Sequence, residues 1–431
     1  MNVGGPKGIM TMAPTETDRA ERPATLDGPA SSRGLTEEEV TYFADRFDHH
    51  HPAFGQDPYP VYERMQSRCP VTHSDNYGGF WIVTGYDEAR YVWQHPELFS
   101  TQPSVSVPHG LGNKRPMLPL EVDPPLHTKH RRLLAPVFAP NRVAELEPKI
   151  RAVCDELIDG FVDRGECELI TELAQPLPTR IFVDMLGIPA DEAVAFRNWN
   201  HAILHGQHDD PTGESRARAG LEARTRLGEI LAERKRHRRD DLISVLLESE
   251  IEGERLDDEE ILDHAFLLFL AGLDTVQGAI GYQYVFLAQH PEHRDRLVRD
   301  PSIIPRAVEE LMRWEGLNIS GRNATQDTEL AGRKIAKGDP VVLVNRSAGR
   351  DPRIWDDPNT VDFDRPPRGN LAFGAGPHRC VGSHLARLEM RIVHEHMHRR
   401  IPDYRLKPGH RVSLHGGNVA GVDALPLVWG S

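Results

Sequence analysis

Cysteine is scarce in this sequence. Four thiols, Cys69, Cys154, Cys167 and Cys380, are spread through 431 residues with no paired spacing. That argues against a disulfide framework or a cysteine-rich zinc cluster, and it points to a reducing compartment. Positive charge is also in deficit: 51 Lys and Arg against 65 Asp and Glu leave a net charge of −14, unsuited to a nucleic-acid partner. No apolar run reaches the roughly 18 residues that a membrane helix needs. The Gly-, Pro- and Thr-rich N-terminus lacks the apolar core of a secretion signal. The chain therefore reads as a cytoplasmic monomer with no membrane segment. Large apolar side chains are rare in residues 1–40, which read as a disordered tail. No linker follows, so residues 41–431 read as one domain, although the length would admit two or three.

Between Gly382 and Arg400 there is neither Gly nor Pro, and Val381, Leu385, Leu388 and Ile392 recur at helical spacing. Immediately before lies Phe373–Gly374–Ala375–Gly376–Pro377–His378–Arg379–Cys380–Val381–Gly382. Cys380 is thus expected at a helix N-terminus, where free N–H groups and the helix dipole favour a thiolate. Gly374, Gly376 and Gly382 would let backbone lie against something large and planar. A lone thiolate presented this way suits a single axial bond to haem iron; a structural cysteine after an ordinary loop is the alternative.

The longest helical pattern runs from Asp257 to Gln289, with Asp257 and Glu260 as a capping pair. It would span roughly 50 Å. Its apolar middle contains Ala271–Gly272–Leu273–Asp274–Thr275. Gly costs about 1 kcal/mol against Ala inside a helix, and a buried Asp costs more unless paired. The functional reading is a local widening at Gly272 that admits a small ligand, with the Thr275 hydroxyl and the Asp274 carboxylate relaying protons. A kink with a satisfied Asp is the alternative.

Further upstream, His127 and Arg131 share a helical face, either as partners of a buried dianion or as part of a basic surface. Glu310 and Arg313 are spaced to pair about 70 residues before Cys380. His49–His50–His51 reads as a solvated loop rather than a metal site, because adjacent side chains diverge. Residues 205–215 read as a mobile connection, and residues 143–164 as a helix.

The stretch 373–382 closely resembles the cysteine-ligand loop of the cytochrome P450 superfamily, Phe-Gly-x-Gly-x-His/Arg-x-Cys-x-Gly, and Ala271–Thr275 resembles that family's Ala/Gly-Gly-x-Asp/Glu-Thr motif. The likeness covers residues from about 52 to 431. It implies a mainly α fold with small β-sheets, a triangular helical prism around haem b, of the bacterial type. Cys380 is then the iron ligand, in a loop that includes Phe373 and Gly374. His127, Arg131, Arg322 and His378 hold the haem propionates. Gly272, Asp274 and Thr275 support protonation and cleavage of dioxygen. Glu310, Arg313 and Arg365 form a fold-holding set with the meander, where Val361 replaces the family's Phe; Asn370 replaces a common His. Phe266, Leu270, Ala271, Asn318, Ile319 and Val419 would line the substrate cavity, though core packing selects the same residue types.

The implied activity is insertion of one oxygen atom of dioxygen into an apolar small molecule. The two electrons would come through a ferredoxin or flavodoxin docked on the cysteine side, where His384, Arg387, Arg391 and His398 share a helical face with Arg132 and Arg379 nearby. Plain solvation explains that face equally well. A peroxide-driven oxidase and a non-catalytic haem sensor or carrier are the alternative functions; the Asp274–Thr275 pair counts against the former.

Overall fold

The structure, a computed structural model, describes residue 23, residues 34–366 and residues 368–430. Its core is helical. The pattern from Asp257 resolves into two helices, Asp258–Leu273 and Thr275–Gln289. The reciprocal Asp257–Glu260 capping box opens the first of them. Asp274 joins the two at φ −110°, ψ −35°, outside regular helical geometry. Around this central pair pack Pro176–Leu186, Ala193–His205, Glu214–Arg236 and Ser383–Arg400. Pro176–Leu186 and Ala193–His205 carry the Leu and Phe side chains that close the main apolar core. Taken as one, Asp258–Gln289 is long and apolar enough to cross a membrane, contrary to the reading from apolar runs alone. Yet 61% of its most apolar window is buried inside the protein, as in a core helix.

The β-structure is small. One mixed sheet has the spatial order Val71–Ser74, Phe80–Val83, Pro340–Val344, Ile319–Ala324, Phe99–Ser100. Pro340–Val344 runs parallel to Phe80–Val83 and antiparallel to Ile319–Ala324, with Val341 opposite Arg322. That register fixes Arg322 on an interior strand, opposite the central one. A C-terminal hairpin pairs Ser413–His415 with Gly421–Ala424, and Asn318 bridges to Val419 beside it.

Several expectations are corrected. A helix with a Thr36–Glu39 capping box spans Glu37–Asp45, and Pro23 is buried, so folded structure begins before residue 40; most of the tail lies outside the described residues. The pattern over 143–164 is broken into Pro140–Glu145, Glu147–Asp159 and a 3₁₀ turn at Val162–Arg164, because Pro148 restarts the helix at its first turn. His49 and His50 are buried, not solvated. His50 Nε2 bonds the Val107 carbonyl at 2.9 Å, and His51 caps Pro52–Gln56.

Glu389 lies fully inside Ser383–Arg400, and burial alone pushes its carboxyl up to about 8. The folded state keeps its proton after the unfolded chain has released one, so its cost to stability grows between about pH 4.5 and 8, by about 1.4 kcal/mol per pH unit at most. Glu389→Gln is expected to raise stability at pH 7.5 and to flatten the decline over that window. Urea midpoints from pH 5 to 8 measure it; equal slopes in both proteins would refute it.

Candidate active site

Cys380 sits in the turn that precedes Ser383–Arg400. Its N–H bonds the Phe373 carbonyl at 2.9 Å, which closes the loop independently of the sulfur. Gly382, not Cys380, is the helix N-cap, so the thiol lies just outside the first turn. Cys380 is solvent-accessible, yet protein crowds it. Together these place the residue in a crowded recess rather than in the packed core. Burial pushes the thiol up, against the Gly382 N–H and the Arg131, Arg387 and Arg379 guanidiniums. The expectation that free N–H groups and the helix dipole favour a thiolate meets an opposing burial that outweighs them, so a bound metal cation would have to complete the deprotonation.

Two of the loop glycines sit in left-handed turns. Gly374 and Gly376 adopt φ +66° and +65°, and an added Cβ at Gly376 would lie 2.2 Å from the Trp93 carbonyl oxygen. They admit Trp93. A Cβ added at Gly382 would lie 4.0 Å from the sulfur.

Beside the loop, four basic groups converge without an acid bonded to them. Arg322 is 2% exposed and stacks 4.4 Å over Trp93. Its Nη1 donates to the Gly321 carbonyl at 2.6 Å, while Nη2 is buried with no partner. Burial lowers it to about 10, only partly offset by Asp123. The His127 and His378 rings are 4.1 Å apart. Both His127 nitrogens and His378 Nε2 are buried and unbonded. Burial first, then neighbouring cations, hold His127 down at about 4 and His378 at about 2. Arg131 Nη2 reaches the Arg379 carbonyl at 2.5 Å. Orphaned buried donors are costly, and this set is complementary to a buried dianion. The residues therefore fit the two propionates of haem b, with Cys380 as thiolate ligand beside them.

Arg322→Leu removes the most buried of these donors. A charge-assisted bond contributes about 1.5–3 kcal/mol, so haem transfer to an apo-acceptor protein is expected to speed up by about 10- to 100-fold. An unchanged transfer rate would contradict the assignment.

On the central helices, Thr275 Oγ1 donates to the Ala271 carbonyl at 3.0 Å, across the break. Ala271 is exposed in the middle of a buried helix, so the cavity opens there. Gly272 does not make the widening. Its missing Cβ accommodates the Phe182 ring, which would lie 2.5 Å from it, and the irregular residue is Asp274. The Asp274 carboxylate accepts from His205 Nε2 at 2.9 Å. Burial pushes that carboxyl up, but His205, His415 and His201 together hold it below its ordinary value. His205 was invisible in the sequence because it comes from a separate helix, 69 residues away. Trp93 was missed for the same reason.

The remaining expected residues divide. Phe266 and Leu270, at 1% and 4% exposure, belong to the main core and present no surface to a ligand. Asn318, Ile319 and Val419 come together at the bridge between sheet and hairpin. Glu310 and Arg313 pair at 2.7 and 2.8 Å, and Arg365 Nε joins Glu310 at 3.0 Å. Arg387 chelates Glu309, and Arg391 pairs with Glu147 and Glu395 at 2.8 and 2.9 Å, so both are neutralised rather than free. His398 is buried, bonded to Tyr404 Oη at 3.1 Å and stacked on His394. It does not belong to any surface patch. His384, Arg132 and Arg379 are exposed.

Comparison with known proteins locates this site among relatives. The family model described as Cytochrome P450 matches residues 221–411. A steroid C26-monooxygenase of Mycobacterium tuberculosis is 34% identical over 379 residues, covering 86% of this chain and 93% of that protein. A methyl-branched lipid omega-hydroxylase of Mycobacterium bovis is 35% identical over 369 residues, covering 81% and 84%. The crystal structure of CYP109E1 from Bacillus megaterium in complex with testosterone superposes with a TM-score of 0.79 at 28% identity, covering 87% of this chain and 98% of that one.

Proposed function

The chain belongs to the cytochrome P450 family, and we propose from that premise that it hydroxylates an apolar steroid- or lipid-like molecule, using electrons from a ferredoxin or flavodoxin. It is a cytochrome P450 monooxygenase with haem b as cofactor. The observation that carries the assignment of residues is the set of unpartnered buried donors on Arg322, His127 and His378 beside the one exposed thiol.

Cys380 would hold the iron, and Arg322, Arg131, His127 and His378 the propionates. Haem b, when bound, supplies dioxygen activation and electron transfer. The chain supplies protons and confinement. His205 takes up a proton at Nδ1 from solvent as it passes the Nε2 proton to the Asp274 carboxylate, so the ring stays neutral, and rotation of Asp274 about the helix break carries the proton inward toward Thr275. The Thr275 hydroxyl, released from the Ala271 carbonyl, donates into the cavity. Ile319 and Val419 would give the substrate wall apolar surface and the unpartnered Asn318 amide oxygen one polar point, in keeping with the steroid and lipid named for the relatives. Electron donors dock on the face that bears Arg132, Arg379 and His384; the chain is a cytoplasmic monomer.

Asp274→Asn removes the relay without changing side-chain size. Positioned proton transfer contributes about 10²- to 10⁴-fold, so product formation is expected to fall by about 10²-fold at unchanged substrate affinity, with a larger solvent isotope effect. The overall reading is tested by a spectral titration with steroids and branched lipids, followed by NADH-driven turnover through a surrogate ferredoxin couple. Absence of any oxygenated product across both classes would overturn the substrate proposal.

A further inference from the structure

Three side chains that meet at the helix break come from three separate elements: His205 from the end of Ala193–His205, Asp274 from the break, and His415 from the C-terminal hairpin. One ring nitrogen of each histidine and one carboxylate oxygen of Asp274 lie within 4.8 Å of one another. The two imidazoles meet edge to face at 68°, their centroids 4.4 Å apart. We propose that His205, Asp274 and His415 bind a divalent transition-metal cation, Zn²⁺ by choice, which locks the Asp274 carboxylate away from proton delivery.

The donor set fits the chemistry. Two imidazoles and one carboxylate suit zinc, with a fourth position left for water. His415 is oriented as a metal ligand requires. Its Nδ1 donates to Asp423 Oδ1 at 2.6 Å, and Asp423 Oδ2 accepts from Ser413 Oγ at 2.8 Å. A carboxylate behind the outer ring nitrogen fixes the tautomer that leaves the other nitrogen basic. That other nitrogen, Nε2, is buried and has no hydrogen-bond partner. The hairpin also makes room for the ring: a Cβ on the cross-strand residue Gly421 would lie 2.4 Å from it.

Binding needs one proton rearrangement. His205 Nε2 now bonds Asp274, and its Nδ1 is buried and unbonded. Metal binding takes the Nε2 lone pair, and the proton moves to Nδ1. Asp274 exchanges an N–H partner for the cation. The three donors already surround a common point, so side-chain adjustments suffice.

The inhibitory half of this inference rests on the proton-relay role proposed for Asp274; the binding half does not. Calorimetric titration of untagged, haem-loaded, chelator-washed protein with ZnCl₂ separates them. One Zn²⁺ per chain is expected. His415→Ala should weaken it by more than 10-fold, and Asp423→Asn by about 10- to 100-fold, with the reduced carbon-monoxide spectrum of each variant confirming an intact haem site. Turnover at saturating substrate should fall with Zn²⁺ in the native protein and recover on adding chelator. Zn²⁺ bound equally by native protein and both variants would overturn the site. Zn²⁺ bound there with turnover unaffected would overturn the lock. If Asp274→Asn leaves product formation unaltered while stoichiometric, His415-dependent binding persists, the relay fails and the metal site stands.

Discussion

Cys380→Ala is expected to give a folded protein that has lost all monooxygenase turnover and the long-wavelength absorption band of a reduced, carbon-monoxide-bound, thiolate-ligated haem. The fold should survive because the loop closes through backbone. Cys380 N–H holds the Phe373 carbonyl, Gly374 N–H holds the Leu371 carbonyl, and Arg379 N–H holds the Gly376 carbonyl. None of these involves Sγ. Cys380 is exposed and belongs to no core cluster, so its removal leaves no packing defect of the kind that costs a buried Leu→Ala its 2–5 kcal/mol. The chemistry should not survive, since an Ala methyl cannot ligate a metal and thiolate donation to the iron is what favours O–O cleavage. The absorption spectrum of the reduced, carbon-monoxide-treated variant measures the first loss and product analysis the second. A variant that kept both would refute the assignment of this residue.

The second large effect is on stability. Arg313→Ala is expected to cost about 3–5 kcal/mol, the penalty for stranding one partner of a buried ion pair. Arg313 is 2% exposed and donates to both Glu310 oxygens. It also reaches the carbonyls of Gly349, Pro358 and Thr360 at 2.6, 2.9 and 3.1 Å. Removing it leaves the Glu310 carboxylate with Arg365 and the Asp362 N–H, at 3.0 Å each, strips the Gly349 and Pro358 carbonyls of their donor, and leaves Thr360 with Arg365 Nη2 at 3.0 Å. Against a typical total of about 5–15 kcal/mol, that is about a fifth of the stability or more. Because those carbonyls belong to the segment running toward the cysteine loop, haem retention should fall together with the urea midpoint. Arg313→Lys should rescue little, since an ammonium cannot reproduce the planar fork that serves five acceptors. A midpoint within error of the native protein would show that this network is incidental.

The sequence made some of this legible and hid the rest for physical reasons. Helix starts were readable where the signal is local: the Asp257–Glu260 box and the Gly-free run after Gly382 both sit where the helices begin. The interruption at residues 271–275 was readable because Gly and Asp conflict with an apolar helix. Its location at Asp274 was not, since Gly272 is there for Phe182, a contact made across 90 residues of chain. Pairings over long separations leave no periodicity. His205 and His415 at Asp274, and Trp93 under both Arg322 and Gly374, are of that type. The neutralisation of Arg387 and Arg391 was hidden likewise, because Glu309 and Glu147 lie on other helices. The thiol's raised pKa shows the same limit: position near a helix start is visible in the sequence, desolvation is not.

Trp93 has a bearing on how the molecule comes together. Its indole lies under Arg322, and the tight turns at Gly374 and Gly376 wrap over it. The ring therefore joins three segments that span some 280 residues. Closing loops of that length delays the contacts that depend on them. The turn that presents the sulfur has nothing to wrap around until the segment bearing Trp93 has docked, so the cofactor's berth exists only once two stretches far apart in sequence have met.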